Sequence, residues 1–185
     1  MQMSRSAGRA ADGAPTPDEV EDLYAAATQG PPLCEPRTQA AAYASVFSYV
    51  LARGDAAWVA ARSDGALVGI AYGHPWEWAH QTDEWSAELK ERLGAAAHRL
   101  EDSFAVYLLA VHPTVQRAGL GRVLLEDLLA TAGARRAWLQ TRDEETPARA
   151  LYRAGGWTEV GHGPDAPNGR PGLVLGLRLR EAAPR

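Results

Sequence analysis

The sequence predicts a mixed α/β domain, a sheet with helices on both faces. Three observations lead there. Apolar runs of strand length alternate with segments whose apolar residues recur at helical spacing. One run, Phe104-Ala105-Val106-Tyr107-Leu108-Leu109-Ala110-Val111, is continuous, as a central strand buried on both faces would be. Two others, 57–61 and 66–73, flank Ser63-Asp64-Gly65, which reads as a hairpin turn.

Residues 1–16 are rich in Ala, Gly, Ser and Arg and offer almost nothing to bury, so they are expected as a flexible tail ahead of a single domain, 17–185. Pro17-Asp18-Glu19 starts a helix, with Pro in the first turn and acids at the positive end of the helix dipole. Gly30-Pro31-Pro32 ends it. A second helix is predicted over 38–53, where Tyr43, Val46, Phe47, Val50 and Leu51 share one face. The hairpin follows, its second strand stopped by Pro75.

Residues 76–102 read as an insertion between strands. Trp76, Trp78 and Trp85 cluster near its start, and Leu89, Leu93, Ala97 and Leu100 mark a helix over 86–99. The tryptophans either plug the core or line an acceptor pocket. After the central run, a helix is expected over 121–131, a strand over 136–141, a short helix over 147–154, and strands over 157–160 and 173–177.

Composition narrows the function. A formal net charge of -4 gives no sign of the basic surface a nucleic-acid binder needs. The single cysteine, Cys34, can form no intramolecular disulfide, which favours a reducing compartment. No stretch approaches the length of a bilayer span and no secretory signal is seen, so a cytoplasmic protein away from membranes is expected. His74, His80, His98, His112 and His162 lack ligand-like spacing, and no metal is expected.

The informative segment runs from Val111 to Arg122 and joins the buried strand directly to a helix. A helix N-terminus presents unpaired N–H groups and partial positive charge. Gly119 and Gly121 permit close approach of a ligand to the backbone, and Arg117 and Arg122 add positive charge beside it. Together these make a pyrophosphate cradle. It is not a P-loop, which would end in G-K-[ST], and it lacks the third glycine of a dinucleotide fingerprint.

Gln116-Arg117-Ala118-Gly119-Leu120-Gly121 resembles the Q/R-x-x-G-x-G/A signature of the GNAT superfamily of acyl-CoA-dependent N-acyltransferases. Leu109-Ala110-Val111-His112-Pro113 looks like that family's V-x-P strand exit. Ala148-Arg149-Ala150-Leu151-Tyr152-Arg153-Ala154-Gly155-Gly156-Trp157 is similar to its A-x-x-L-Y-x-x-x-G-F segment, with Trp for Phe. The resemblance covers roughly 57–160 and implies a mostly antiparallel mixed sheet, acetyl-CoA as co-substrate, and an amine acceptor, small molecule or peptide. It also implies roles. The backbone of Leu109 and Val111 would pair with the pantetheine amides. Gln116, Arg117, Ala118, Gly119, Leu120, Gly121 and Arg122 would hold the pyrophosphate. Tyr152 would protonate the departing thiolate.

The sequence departs from the family pattern in three places. Glu145 stands where Asn is common, the central strand lacks the glutamate that often serves as base, and no strand is evident before Pro17. By position, Glu84, Glu101 or Asp102 is the candidate base. A non-catalytic acyl-CoA-binding module is the alternative to an enzyme, and a homodimer stays open.

Overall fold

The computed structural model describes residues 2–31, 33–166 and 169–179. In chain order its elements are β1 (Met3–Arg9), α1 (Pro17–Thr28), α2 (Arg37–Ala52), β2 (Ala57–Ser63), β3 (Ala66–Trp76), α3 (Glu84–Leu93), β4 (Ser103–Val111), α4 (Leu120–Ala132), β5 (Arg136–Arg142), α5 (Pro147–Ala154), β6 (Thr158–Gly163) and β7 (Gly172–Arg178). The strands form one seven-stranded sheet in the order β1-β2-β3-β4-β5-β7-β6. Strands β4 and β5 run parallel, while β1–β2, β2–β3, β5–β7 and β6–β7 are antiparallel. The mixed α/β class expected from the sequence is the class observed. The chain divides into two compact units, Met1–His74 with Tyr107–Gly133, and Pro75–Val106 with Ala134–Arg185.

In the first unit, α1 is started by a reciprocal cap. The Thr16 hydroxyl accepts from the Glu19 N–H at 3.2 Å, and the Glu19 carboxylate accepts from the Thr16 N–H at 2.8 Å. Val20, Leu23 and Tyr24 of α1 meet Phe47 and Val50 of α2 over Trp58, Ala60, Ile70 and Tyr72 of the strands, and Leu108 and Ala110 of β4 complete this core. Leu124, Leu125, Leu128 and Leu129 are the buried residues of α4 beyond its first turn. Its close approach depends on Gly69, where a Cβ would lie 2.8 Å from Leu124 Cδ1.

The N-terminal segment corrects the sequence reading. Residues 3–9, expected within a flexible tail, form β1 and pair along their whole length with β2, from Met3↔Ser63 to Arg9↔Ala57. The strand is legible only in its backbone ladder, because six of its seven residues are exposed and none is buried. Gly8 admits the Trp58 ring, which would lie 2.6 Å from a Cβ there, and Trp58 Nε1 donates to the Ala10 carbonyl at 2.9 Å.

In the second unit, α3 is capped by Asp83, which accepts from the Ser86 N–H at 2.9 Å. The helix expected over 86–99 is shorter than its apolar spacing suggested. It ends at Leu93, Gly94 takes φ +50°, and a 3-10 segment, Gly94–Leu100, follows. Strand β3 passes Pro75 and ends at Trp76, so that proline lies one residue from the strand end and does not stop it. Trp76 is fully buried and meets Trp78 and Trp138 edge-on, with ring centroids 5.2 and 4.7 Å away. Residues 157–160 and 173–177 were read as strands, and the observed strands reach Gly163 and begin at Gly172.

Candidate active site

Strand β4 pairs with β5 from Phe104↔Ala137 to Val106↔Leu139, and β4 then continues to Val111. Leu108 and Ala110 point into the core, while Leu109 and Val111 are half-buried. The strand leaves through His112, whose N–H donates to the Val68 carbonyl at 2.9 Å, and enters the 3-10 turn Pro113–Val115.

The glycine-rich loop comes next. Gln116 turns back, its amide donating to the Val111 carbonyl at 2.9 Å. The side chain therefore closes the strand end here, a role its motif position did not suggest. Arg117 adopts φ +63°, unusual for a residue with a Cβ, and Gly119 adopts φ +82° as the residue capping α4. No side chain caps this helix start, so its first N–H groups face outward. A Cβ on Gly119 would meet nothing within 4 Å, so open space lies beside it. Gln116, Arg117, Ala118, Gly119 and Arg122 are exposed, Leu120 is buried, and Gly121 is half-buried. Among the described residues neither Arg117 nor Arg122 forms an ion pair. Two left-handed backbone positions, uncapped N–H groups, open space and two unpaired guanidiniums fit a bound pyrophosphate.

Helix α5 carries the second motif. The Thr146 hydroxyl caps it, accepting from the Arg149 N–H at 3.2 Å, and Pro147 opens its first turn. Tyr152 is its only buried residue, and the ring packs near Trp157 at 5.9 Å. The Tyr152 hydroxyl makes no hydrogen bond among the described residues. Burial disfavours the phenolate and pushes Tyr152 up to about 12.

The candidate bases fare differently. Glu101 is engaged structurally, accepting from the Trp78 N–H at 3.0 Å. Asp102 has a side chain 75% exposed, with Arg136 at 4.0 Å, and Glu84 is exposed in the first turn of α3. Within the insertion, Trp78 Nε1 donates to the Ala97 carbonyl at 3.0 Å, Lys90 lies over the Trp78 ring, and only Trp85 stays exposed among its tryptophans. A cavity of about 430 Å³ is bordered by Trp78, Lys90, His98 and Glu101. Among the described residues no group of three or more His, Cys, Asp or Glu side chains could hold a metal ion, and no helix is long and apolar enough to cross a membrane.

The Acetyltransferase (GNAT) family model matches residues 18–156, three quarters of the chain. The chain belongs to the GNAT acetyltransferase family. The glycine loop and Tyr152 both lie inside the matched region. A relative from Salmonella typhimurium, the [Ribosomal protein bS18]-alanine N-acetyltransferase, is 42% identical over 62 residues, 32% of this chain and 42% of the relative. The match thus spans less than half of that relative's length. Among solved structures, a GNAT-family protein from Desulfovibrio desulfuricans superposes with a TM-score of 0.66 at 17% identity, covering 96% of this chain and 99% of the other. An acetyltransferase-fold structure from Salmonella typhimurium, determined with its cofactor acetyl-CoA, gives a TM-score of 0.55 at 15% identity and covers 98% of each chain. At these identities the structural likeness speaks to the fold.

The residue that sequence reasoning missed is Arg149. It lay inside the quoted motif, but nothing in spacing marks which carboxylates it meets. Its side chain is only 10% exposed and reaches Asp143 at 2.9 Å and Glu159 at 3.2 Å.

Proposed function

We propose that this chain transfers an acetyl group from acetyl-CoA to the amine of an acceptor, by direct attack. The observation that carries the proposal is the uncapped start of α4 behind the left-handed residues Arg117 and Gly119. Its outward N–H groups, with Arg117 and Arg122, would hold the pyrophosphate, and Ala118, Leu120 and Gly121 would contribute backbone to the same cradle. The N–H and carbonyl groups of Leu109 and the N–H of Val111 would receive the pantetheine arm as an added strand. Since Gln116 already occupies the Val111 carbonyl, that residue offers one group rather than two.

An amine must lose a proton before it attacks a thioester. Its nitrogen then adds to the carbonyl, the C–S bond breaks, and the thiolate needs a proton. Tyr152 would supply it, because its hydroxyl is kept protonated by burial and is uncommitted to any described partner. The named relative acts on a protein alanine, which makes a polypeptide N-terminus one acceptor to test first, beside small amines. The single cysteine, exposed Cys34, accords with a reducing, cytoplasmic setting.

Calorimetry with CoA tests the cradle. Gly119→Glu places negative charge where the pyrophosphate would sit and should abolish detectable binding, while Arg122→Ala should weaken it by ~1–3 kcal/mol. Unchanged affinity in Gly119→Glu would move the site elsewhere.

A further inference from the structure

Helix α5 has little to hold it in place. It is eight residues long, and among them only Tyr152 is buried. An isolated helix of that length does not persist in water, so its position must come from tertiary contacts. Besides the Tyr152 ring, the contact with the best geometry is the Arg149 guanidinium. One nitrogen donates to Asp143 Oδ1 at 2.9 Å and the other to Glu159 Oε1 at 3.2 Å. Asp143 follows β5 directly, and Glu159 lies on β6, so a single side chain fastens the helix to two strands. Asp143 is itself held from a third direction, since His162 of β6 meets its Oδ2 at 2.8 Å. These two partners, His162 first and then Arg149, hold the Asp143 carboxyl below its ordinary range.

The guanidinium is largely withdrawn from solvent, with a side chain 10% exposed. A fork bonded to two carboxylates in that setting fixes direction as well as distance. Arg153, the other basic residue of the last turn and a half, contrasts with it. In its pair with Glu145 both side chains are largely exposed, 63% and 72%, whereas Arg149 is withdrawn although its partners Asp143 and Glu159 are 38% and 66% exposed. Arg149 and Tyr152 stand three positions apart, so they are neighbours on the surface of the helix.

We propose that Arg149, clamped by Asp143 and Glu159, is the positioning residue for Tyr152, setting where the phenol hydroxyl points. The proposal rests on the assignment of Tyr152 as proton donor. A misplacement of about 1 Å in a catalytic group costs on the order of 10²-fold in rate, whereas the backbone groups proposed to hold acetyl-CoA belong to β4 and the start of α4.

A double-mutant cycle tests this. Arg149→Met removes both ion pairs and keeps the stem. It should lower kcat at least about tenfold, leave the acetyl-CoA KM within about twofold, and be partly rescued by Arg149→Lys. In a Tyr152→Phe background the same Arg149→Met change should cost less than about twofold, because the group it positions is gone. If Arg149→Met does not fold, Asp143→Asn and Glu159→Gln each remove one arm of the clamp and carry the same cycle. Equal losses of kcat in both backgrounds would overturn the proposal, showing a general structural role. A Tyr152→Phe enzyme with wild-type kcat would instead overturn the proton-donor assignment, and the positioning role with it.

Discussion

A phenol can give its proton to a departing thiolate only while it holds one. Desolvation pushes Tyr152 up to about 12, against an ordinary value near ~10. The protonated form is therefore the favoured one in the folded chain. Its contribution to stability is complete below about pH 10 and is lost as pH rises toward 12. Tyr152→Phe should lower kcat on the order of 10²-fold with acetyl-CoA binding little changed, as stopped-time assays at saturating substrate would show. The wild-type rate should also show no fall at high pH up to pH 10, whatever rise the acceptor's own deprotonation brings. A fall in kcat between pH 9 and 10 that vanishes in the Phe variant would mean that the hydroxyl is solvated like a free tyrosine. The residue's place in the second motif is legible in the sequence. Its burial is not, because the rest of α5 is one Pro, three Ala and two Arg, and nothing in that pattern marks Tyr152 rather than Leu151 as the buried residue.

At the level of elements, two helix starts do different work. Helix α1 closes its first turn with Thr16 and Glu19, and Glu19 also receives the Arg62 guanidinium of β2 at 2.5 and 3.0 Å. The Arg62 fork, with the Thr16 bonds behind it, holds Glu19 down to about 2. Such a carboxylate stabilises the fold above its unfolded value, and that contribution is lost as pH falls from about 4.5 toward 2. Glu19→Gln should therefore lower the melting temperature above about pH 5 and change it little near pH 2, which flattens the acid limb of a thermal-melt series. An unchanged acid limb would mean that the pair carries no stability. Helix α4 leaves its first turn open. At Gly119, φ +82° penalises any side chain although space is free, so Gly119→Ala should cost about 1 kcal/mol in denaturant unfolding through strain alone. Comparing its CoA affinity with that of Gly119→Glu separates strain from charge.

The same scale shows why some elements are legible and others are not. Helices α1, α2 and α4 announce themselves through apolar stripes that become the core, and β4 through its unbroken apolar run. Strand β1 has no buried side chain to signal it, and its information resides in the partner strand and in Gly8 beneath Trp58. The break at Gly94 was hidden because Leu89, Leu93, Ala97 and Leu100 keep a helical spacing across it. The loop that opens α4 was legible because its glycines stand together where β4 gives way to the helix, and Gly119 takes the left-handed backbone that favours glycine. The Arg149 clamp was not, since ion pairs between separated segments leave no periodicity.

For the whole molecule, the open choice lies between an enzyme and an acyl-CoA-binding module. The central strand offers no carboxylate, and Glu101 is tied to the Trp78 backbone. In the proposed reaction, water or a group the acceptor brings close would take the acceptor's proton. Such an enzyme should gain rate with pH as the free-amine fraction of its acceptor rises, and the acceptor's own basicity should set that limb. The most direct test is the release of free CoA thiol from acetyl-CoA, followed with and without an amine, using an alanine-initiated peptide and a small diamine in parallel. The expected outcome is release that depends on an amine, yields the N-acetylated acceptor in equal amount, and is lost in Gly119→Glu. Tight CoA binding with no amine-dependent release from any acceptor would contradict it and leave a binding module in its place.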